Sequence, residues 1–306
     1  MTKGQPASVS LDASLTVHAP AKVNLILRIL DRRPDGYHNL WSIMHTVALE
    51  DAVTLRVTSS PRGIRLSCDA AGLSVDHTNL VSKAASAVLE QAQLSVGIEV
   101  ELRKRIPIGA GLGGGSSDAA ATILGLSRLL KLGWSAAKMG EIGQTLGSDV
   151  AFFLFAPSAI VSGRGEHVKP VAVEGRRWVV LVKPAFGIET KWAYQELAAT
   201  RSKVQPLSAE HEKLDRHDLI SWSQLAAAAE NDFETPIFAK YSLLREIKHS
   251  LLKGGAQSAL LSGSGATVFG LFEEESTARR AGNDLASDRD LKIFVVPTCS
   301  GQLGTS

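Results

Sequence analysis

The sequence has 306 residues, which is enough for two hydrophobic cores because domains usually span about 100–200 residues. Apolar residues make up 44% and charged residues 21%, and a formal net charge of +2 argues against a broad basic face for nucleic acid. Cys68 and Cys299 are too far apart to suggest a disulfide scaffold or a Cys-x-x-Cys metal site. They favour a reducing, cytoplasmic location.

The chain start shows no targeting pattern. Residues 1–14 lack the apolar segment of a secretory signal, and we expect them to form a disordered extension. No apolar run approaches the roughly 20 residues of a membrane helix, so we expect no membrane partner.

The first half of the chain predicts strands and helices in alternation. A basic run, Arg103 to Arg105, falls in one strand and is expected to be a solvated face. The predicted elements are a strand–turn–strand over 15–30 broken at Pro20, a hairpin over 52–68, a helix over 79–92 capped by Asp76 or Thr78, a half-buried strand over 97–107, a helix over 116–133, a helix over 135–147 and a short element from Asp149.

The second half begins another α+β unit, so we predict domains over 15–175 and 176–306. A polar stretch over 201–228 is expected to be loop with a short helix. The other predicted elements are a strand over 178–184, a helix over 190–198, one long helix over 236–255, two strands over 258–272 around a tight Gly-Ser turn, a helix over 276–287 and a strand over 292–297.

The segment PIGAGLGGGSSDAAA, residues 107–121, contains five glycines between a predicted strand and a predicted helix. Its GxGxxG spacing matches the dinucleotide fingerprint, but no strand with an acidic residue follows, as a Rossmann domain requires. It lacks the lysine of a Walker loop, and no HRD or DFG segment of a protein kinase follows. The structural alternative to a binding loop is a flexible surface linker or a loop that is rich in glycine for packing. The segment favours a nest of backbone N–H groups for phosphates, assisted by a helix N-terminus and the Ser116 and Ser117 hydroxyls.

Three further features have a structural and a functional interpretation. Lys22 lies in an apolar strand and is either a surface charge with a buried stem or a cleft cation that needs a partner. Asp149 is either a helix cap or a carboxylate facing a cleft. Gly263-Ser264-Gly265 is either a hairpin turn or a second glycine motif.

These segments, in this order, resemble the three motifs of the galactokinase, homoserine kinase, mevalonate kinase and phosphomevalonate kinase superfamily. PAKVNL followed by RRPDGYHNL is similar to the 4-diphosphocytidyl-2-C-methyl-D-erythritol kinase family of the non-mevalonate isoprenoid pathway. The resemblance implies an α+β, two-domain small-molecule kinase fold. Its N-terminal domain would be like ribosomal protein S5 and its C-terminal domain ferredoxin-like.

The resemblance also implies site roles. Lys22 and Asp149 would be catalytic, Asn24 would line the substrate site, and Tyr37 and His38 would hold cytidine together with a second aromatic residue, Tyr194 or, less favoured, Trp192. Gly263, Ser264 and Gly265 would brace the ATP loop. The ATP loop would comprise Pro107, Ile108, Gly109, Ala110, Gly111, Leu112, Gly113, Gly114, Gly115, Ser116 and Ser117.

The implied reaction is ATP-dependent phosphorylation of a hydroxyl on the methylerythritol portion. ATP and Mg²⁺ would be required, with no dedicated protein ligands for the metal beyond Ser117 as a candidate contact. The partners would be a small-molecule substrate and no nucleic acid, in a monomer or weak homodimer.

Three alternatives stay open at this point. They are a superfamily kinase acting on another small alcohol such as mevalonate or homoserine, a non-catalytic nucleotide-binding protein, and an NAD(P)-dependent oxidoreductase.

Overall fold

The computed structural model describes residues 13–59, 63–155, 157–201, 206–286, 290–301 and 303. The strands are β1 (Ser14–Arg32), β2 (His38–Thr58), β3 (Gly63–Cys68), β4 (Gly97–Arg103), β5 (Ser158–Gly163), β6 (His167–Pro170), β7 (Ala172–Val173), β8 (Trp178–Pro184), β9 (Leu219–Ile220), β10 (Ser258–Leu261), β11 (Val268–Phe272) and β12 (Leu291–Pro297). The helices are α1 (Leu80–Ala92), α2 (Gly114–Leu129), α3 (Ala136–Leu146), α4 (Val150–Phe155), α5 (Thr190–Thr200), α6 (Ala209–Asp215), α7 (Trp222–Ala227), α8 (Glu234–Lys240), α9 (Ser242–Lys253) and α10 (Glu275–Leu285).

Two mixed layers of sheet and helix face each other through their sheets. Strands β1–β6 form one sheet, in which β1 covers one edge of β2 while β4 and β5 share the other edge. Strands β10, β11, β8 and β12 form the second, antiparallel sheet. The run WVVLVKP is buried on both faces because Val179 and Leu181 pack between the sheets, whereas Val180 and Val182 pack against helices.

Strand β1 is continuous through Pro20, which corrects the expected strand–turn–strand. Its pairing with β2 shifts register between Pro20 and Ala21. Before the shift, Val17 packs in the core beneath α1 and α2; after it, Val23 packs in the core between the sheets. The irregularity therefore changes which face each side chain occupies, and Lys22 comes to lie on the helix side.

The hairpin expected over residues 52–68 is wrong. Strand β3 pairs in parallel with β4, and β4 lies between β3 and β2. The chain thus makes a β3–α1–β4 crossover, because the apolar face of α1 covers the sheet and a parallel neighbour needs such a connection. Residues 60–62 of the expected turn lie outside the described residues.

Other boundaries differ more locally. Asn79 caps α1, because its side chain accepts from the backbone N–H of Val81, whereas Asp76 accepts from Thr78. The expected long helix over 236–255 is divided at Tyr241 into α8 and α9. Two residues of the expected disordered extension are ordered, because Ala13 accepts from the Val57 N–H and Ser14 begins β1. The other residues of that extension, 1–12, lie outside the described residues.

Candidate active site

The glycine segment forms a tight loop between β4 and α2. Gly109, Gly111 and Gly113 have φ values of +63°, +76° and +70°, a region that residues with a Cβ rarely adopt. Ala110 and Leu112 alternate with them and are buried between the sheets, which anchors the loop. The first turn of α2 carries no acidic side chain. Its N–H groups therefore present an uncompensated positive end to an anion.

A cavity of about 440 Å³ adjoins this loop. The loop forms one wall, and residues 78–80 at the start of α1 form another. This volume falls within the range of small-molecule sites. Ser116 lines the cavity, whereas Ser117 is fully buried, and its hydroxyl has no hydrogen-bond partner among the described residues.

The second glycine motif packs directly on the loop. Ser262 Oγ donates to the carbonyl oxygen of Gly111 at 2.9 Å, and the Thr267 N–H donates to that of Ala110 at 3.3 Å. A Cβ on Gly111 would lie only 2.1 Å from the Ser262 carbonyl oxygen. Ser264 instead shares a hydrogen bond with Thr190 at 3.1 Å. The two glycine motifs are thus in contact. Ser262 rather than Ser264 provides the side-chain hydrogen bond, and the Gly263 and Gly265 backbones lie close to Gly111.

Lys22 and Asp149 meet beside the loop. Lys22 is 4% exposed, and its Nζ lies 3.4 Å from Asp149 Oδ2 and donates to Asn24 Oδ1 at 2.7 Å. Asn24 Nδ2 in turn donates to Ser42 Oγ at 2.9 Å, which fixes the amide orientation. The Lys22 stem packs against Gly113, where an added Cβ would lie 3.0 Å from Lys22 Cγ. A partly exposed carboxylate and a buried ammonium are therefore held at the edge of the glycine loop.

The predicted cytidine-binding residues cluster only in part. His38 stacks on Tyr194, with ring centroids 5.2 Å apart and planes inclined by 22°. Burial and the nearby Asp149 carboxylate raise the pKa of Tyr194 to about 12. Tyr37 is 57% exposed, and the Arg164 guanidinium carbon lies 4.1 Å from its ring centroid. His38 therefore contacts the second aromatic residue, Tyr194, whereas Tyr37 packs against Arg164.

Trp192 belongs to a different aromatic group. It packs edge-on against Tyr241, with centroids 5.8 Å apart, and Lys240 Nζ lies 4.1 Å from its ring centroid. Of the two aromatic candidates, Tyr194 is the one that contacts His38.

Comparison with known proteins identifies the family. Residues 79–156 match the model of the GHMP kinases N terminal domain, and residues 211–289 match that of the GHMP kinases C terminal. The chain is 41% identical over 275 residues to the 4-diphosphocytidyl-2-C-methyl-D-erythritol kinase of Citrifermentans bemidjiense, covering 90% of this chain and 95% of that protein. This chain belongs to the GHMP kinase family.

Solved structures agree with this assignment. A crystal structure of 4-(cytidine 5'-diphospho)-2C-methyl-D-erythritol kinase is 34% identical, with a TM-score of 0.75 and coverage of 94% of this chain and 100% of that one. Homoserine kinase from Cytophaga hutchinsonii is 20% identical with a TM-score of 0.73, covering 96% and 97% of the two chains, and shares the fold. Both resemblances seen in the sequence are confirmed. The kinase has the two-domain GHMP fold and is an ATP-dependent kinase of a small molecule.

The sequence missed a buried charge cluster in the cavity wall. Lys104 Nζ donates to Asp118 Oδ2 at 2.6 Å and also to Asp51, so the expectation of a solvated basic face is wrong for this residue. Arg103 and Arg105 are exposed, as that expectation required. Burial raises the pKa of the Asp118 carboxyl to about 7; the Lys104 ammonium opposes this rise, and the nearby Asp51 carboxylate adds to it. The strand expected over 97–107 puts Lys104 in phase with the buried Val100 and Leu102, and this alternation was the signal for its burial, although β4 itself ends at Arg103.

Two general features complete the description of the kinase. Within the described ranges, no cluster of three or more His, Cys, Asp and Glu side chains is arranged to hold a metal ion. The helices that the structure describes are all too short or too polar to cross a membrane.

Proposed function

We propose that this kinase transfers the γ-phosphoryl group of ATP to a hydroxyl of 4-diphosphocytidyl-2-C-methyl-D-erythritol, giving the 2-phosphate and ADP. The observation that carries the proposal is the Lys22–Asp149 pair beside the glycine loop, with its charged atoms 3.4 Å apart. An acceptor hydroxyl at Asp149 would face a phosphate held by that loop. The reaction belongs to non-mevalonate isoprenoid precursor synthesis.

The loop and the start of α2 would bind the β- and γ-phosphates. Three left-handed glycines line the cavity, where their backbone N–H groups would form a phosphate nest, and Ser116 adds a hydroxyl on the cavity wall. The Ser117 hydroxyl is a buried oxygen in the first turn of α2 with no hydrogen-bond partner in the part of the chain that the structure describes, and it is the candidate protein contact for Mg²⁺. Mg²⁺, when bound, neutralises charge on the phosphate oxygens. A single protein hydroxyl fits a Mg²⁺ ion whose other ligands would come chiefly from the ATP phosphates.

Asp149 would accept the proton of the acceptor hydroxyl, or orient that hydroxyl in line with the γ-phosphate. Lys22 would act both before the transfer, on the Asp149 carboxylate, and during it, on the phosphoryl group. Its ammonium attracts the Asp149 carboxylate and also offsets the charge that develops on the transferred phosphoryl group. Asn24 fixes the ammonium position through its 2.7 Å hydrogen bond. Positioning and charge stabilisation account for most catalysis of phosphoryl transfer, so this rigidity matters.

The test compares wild type with Asp149→Asn in a coupled ATP assay. We expect kcat to fall by about 10²–10⁴-fold with little change in the KM for ATP, because the amide cannot take the proton. Asp218→Asn, which alters a carboxylate with a 90% exposed side chain, is the control and should leave kcat unchanged. Near wild-type turnover of Asp149→Asn would remove Asp149 from the chemistry.

Substrate choice is tested in the same assay with mevalonate and homoserine beside the cytidylyl substrate. Turnover of mevalonate or homoserine alone would replace the proposal by another kinase activity of the family. Two unpaired cysteines, Cys68 and Cys299, support a cytoplasmic location. A monomer or weak homodimer stays a prediction, which light scattering measures.

A further inference from the structure

The turn between β5 and β6 contacts two parts of the candidate substrate site. At one end, the Arg164 guanidinium carbon lies 4.1 Å from the Tyr37 ring centroid. At the other end, Gly165 is so close to Ser148 that an added Cβ would lie 2.8 Å from Ser148 Cβ. Ser148 directly precedes Asp149. The turn is therefore in contact with a predicted cytidine-binding residue and with the neighbour of the catalytic carboxylate.

The substrate of the proposed function has its charge in the middle. Cytidine forms one end, the acceptor alcohol forms the other, and an anionic diphosphate joins them. If the base lies at Tyr37 and His38 and the alcohol at Asp149, the diphosphate would run beside the β5–β6 turn, which contacts Tyr37 and Ser148. A cation on that turn would therefore contact the anionic diphosphate.

Arg164 is the cation best placed for this role. It is exposed and interacts electrostatically with Asp35, but the ion pair of that carboxylate is made by Arg33. Arg33 lies in the same region but is engaged, since its Nε donates to Asp35 at 3.1 Å and its Nη1 donates to Asn39 at 3.1 Å. Lys22 is likewise engaged with Asn24 and Asp149.

We propose that Arg164 is a specificity-determining residue that binds the diphosphate of the cytidylyl substrate while its guanidinium packs on Tyr37. This inference rests on the proposed function. A guanidinium can bind phosphate oxygens through two parallel N–H groups and can stack on an aromatic face at the same time. Arg164 would thereby couple recognition of the base to recognition of the diphosphate. Cytidine compounds that lack the diphosphate would lose this contribution.

Inhibition by CDP and by cytidine separates the diphosphate contact from the base contact. In Arg164→Gln, we expect the inhibition constant of CDP to rise about tenfold, the size of one charge-assisted hydrogen bond at an exposed site. The inhibition constant of cytidine and the KM for ATP should change less than about threefold, a difference below 1 kcal/mol. Arg164→Lys, which keeps the charge, should retain most of the preference for CDP. Arg65→Gln, on β3 and paired with Glu99, is the matched control and should change nothing.

The outcomes distinguish the two proposals. If wild type does not phosphorylate the cytidylyl substrate, the proposed function fails. If wild type is active and Arg164→Gln leaves CDP inhibition unchanged, only the role of Arg164 is refuted. Equal weakening of CDP and cytidine would also refute the diphosphate contact, since Arg164 would then act through Tyr37 alone.

Discussion

Substitution of Gly111 by alanine tests the contact between the two glycine motifs. A left-handed φ of +76° costs an alanine about 1–2 kcal/mol. The added Cβ would lie 2.1 Å from the Ser262 carbonyl oxygen and 3.0 Å from that of Gly265, so the backbones must separate. Overpacking of this kind costs about 1–3 kcal/mol, and loss of the Ser262 hydrogen bond costs about 1 kcal/mol. We expect a loss of about 3–6 kcal/mol in the free energy of unfolding.

Gly109 provides a matched control. Its φ is +63°, but an added Cβ would meet nothing within 4 Å. Gly109→Ala should therefore lose only the conformational cost of about 1–2 kcal/mol. Urea unfolding of both variants measures the difference, and the coupled assay measures the KM for ATP, which should rise more in Gly111→Ala because its loop is displaced.

Equal losses in the two variants would refute the argument, because conformation alone would then explain both. Should Gly111→Ala not fold, Ser262→Ala remains informative. It removes the 2.9 Å hydrogen bond to Gly111 without adding an atom and should cost about 1 kcal/mol. No measurable loss in that variant would show that the hydroxyl does not brace the loop.

Two further predictions concern the substrate pocket and the cavity wall. Tyr194→Leu should raise the KM for the cytidylyl substrate about tenfold, because stacking of a base on an aromatic ring is worth about 1–3 kcal/mol. Trp192→Leu should leave this KM unchanged. The reverse pattern would make Trp192 the residue that stacks on cytosine. Asp118 has a raised pKa in the folded state, so the fold retains that proton up to about pH 7, whereas the unfolded chain loses it near pH 4. Its contribution to stability is therefore present below pH 4 and is lost as the pH rises to about 7. In Asp118→Asn, urea unfolding across this range should lack that decline, and a parallel pH dependence in both proteins would contradict the assignment.

Local chemistry made much of the site predictable. A dense glycine run between a strand and a helix requires left-handed backbone and close approach, and the structure shows both at Gly111. The apolar run of β8 and the alternation in β4 also predicted strands at the observed positions. Each of these signals depends on neighbours within a few residues.

Predictions failed where pairing involved distant segments. Residues 52–68 fit a hairpin locally, but β2 pairs with β4 instead of β3. Strand β3 then pairs in parallel with the other edge of β4. Lys104 resembled its exposed neighbours until Asp51 and Asp118 were brought to it from other elements. The stacking of His38 on Tyr194 joins residues that lie 156 positions apart in the sequence.

The sequence by itself determined most element types and, through its motifs, the kinase family, and it predicts that the glycine loop binds phosphate. Only the tertiary structure decided which side chains meet. The register shift at Pro20 turns Lys22 toward the loop, and the contact with Ser262 excludes any side chain at Gly111. Backbone conformation responds to local residues, whereas the Lys22–Asp149 contact requires the middle of β1 to meet the start of α4. Burial of the apolar residues between the two sheets provides the free energy for that convergence.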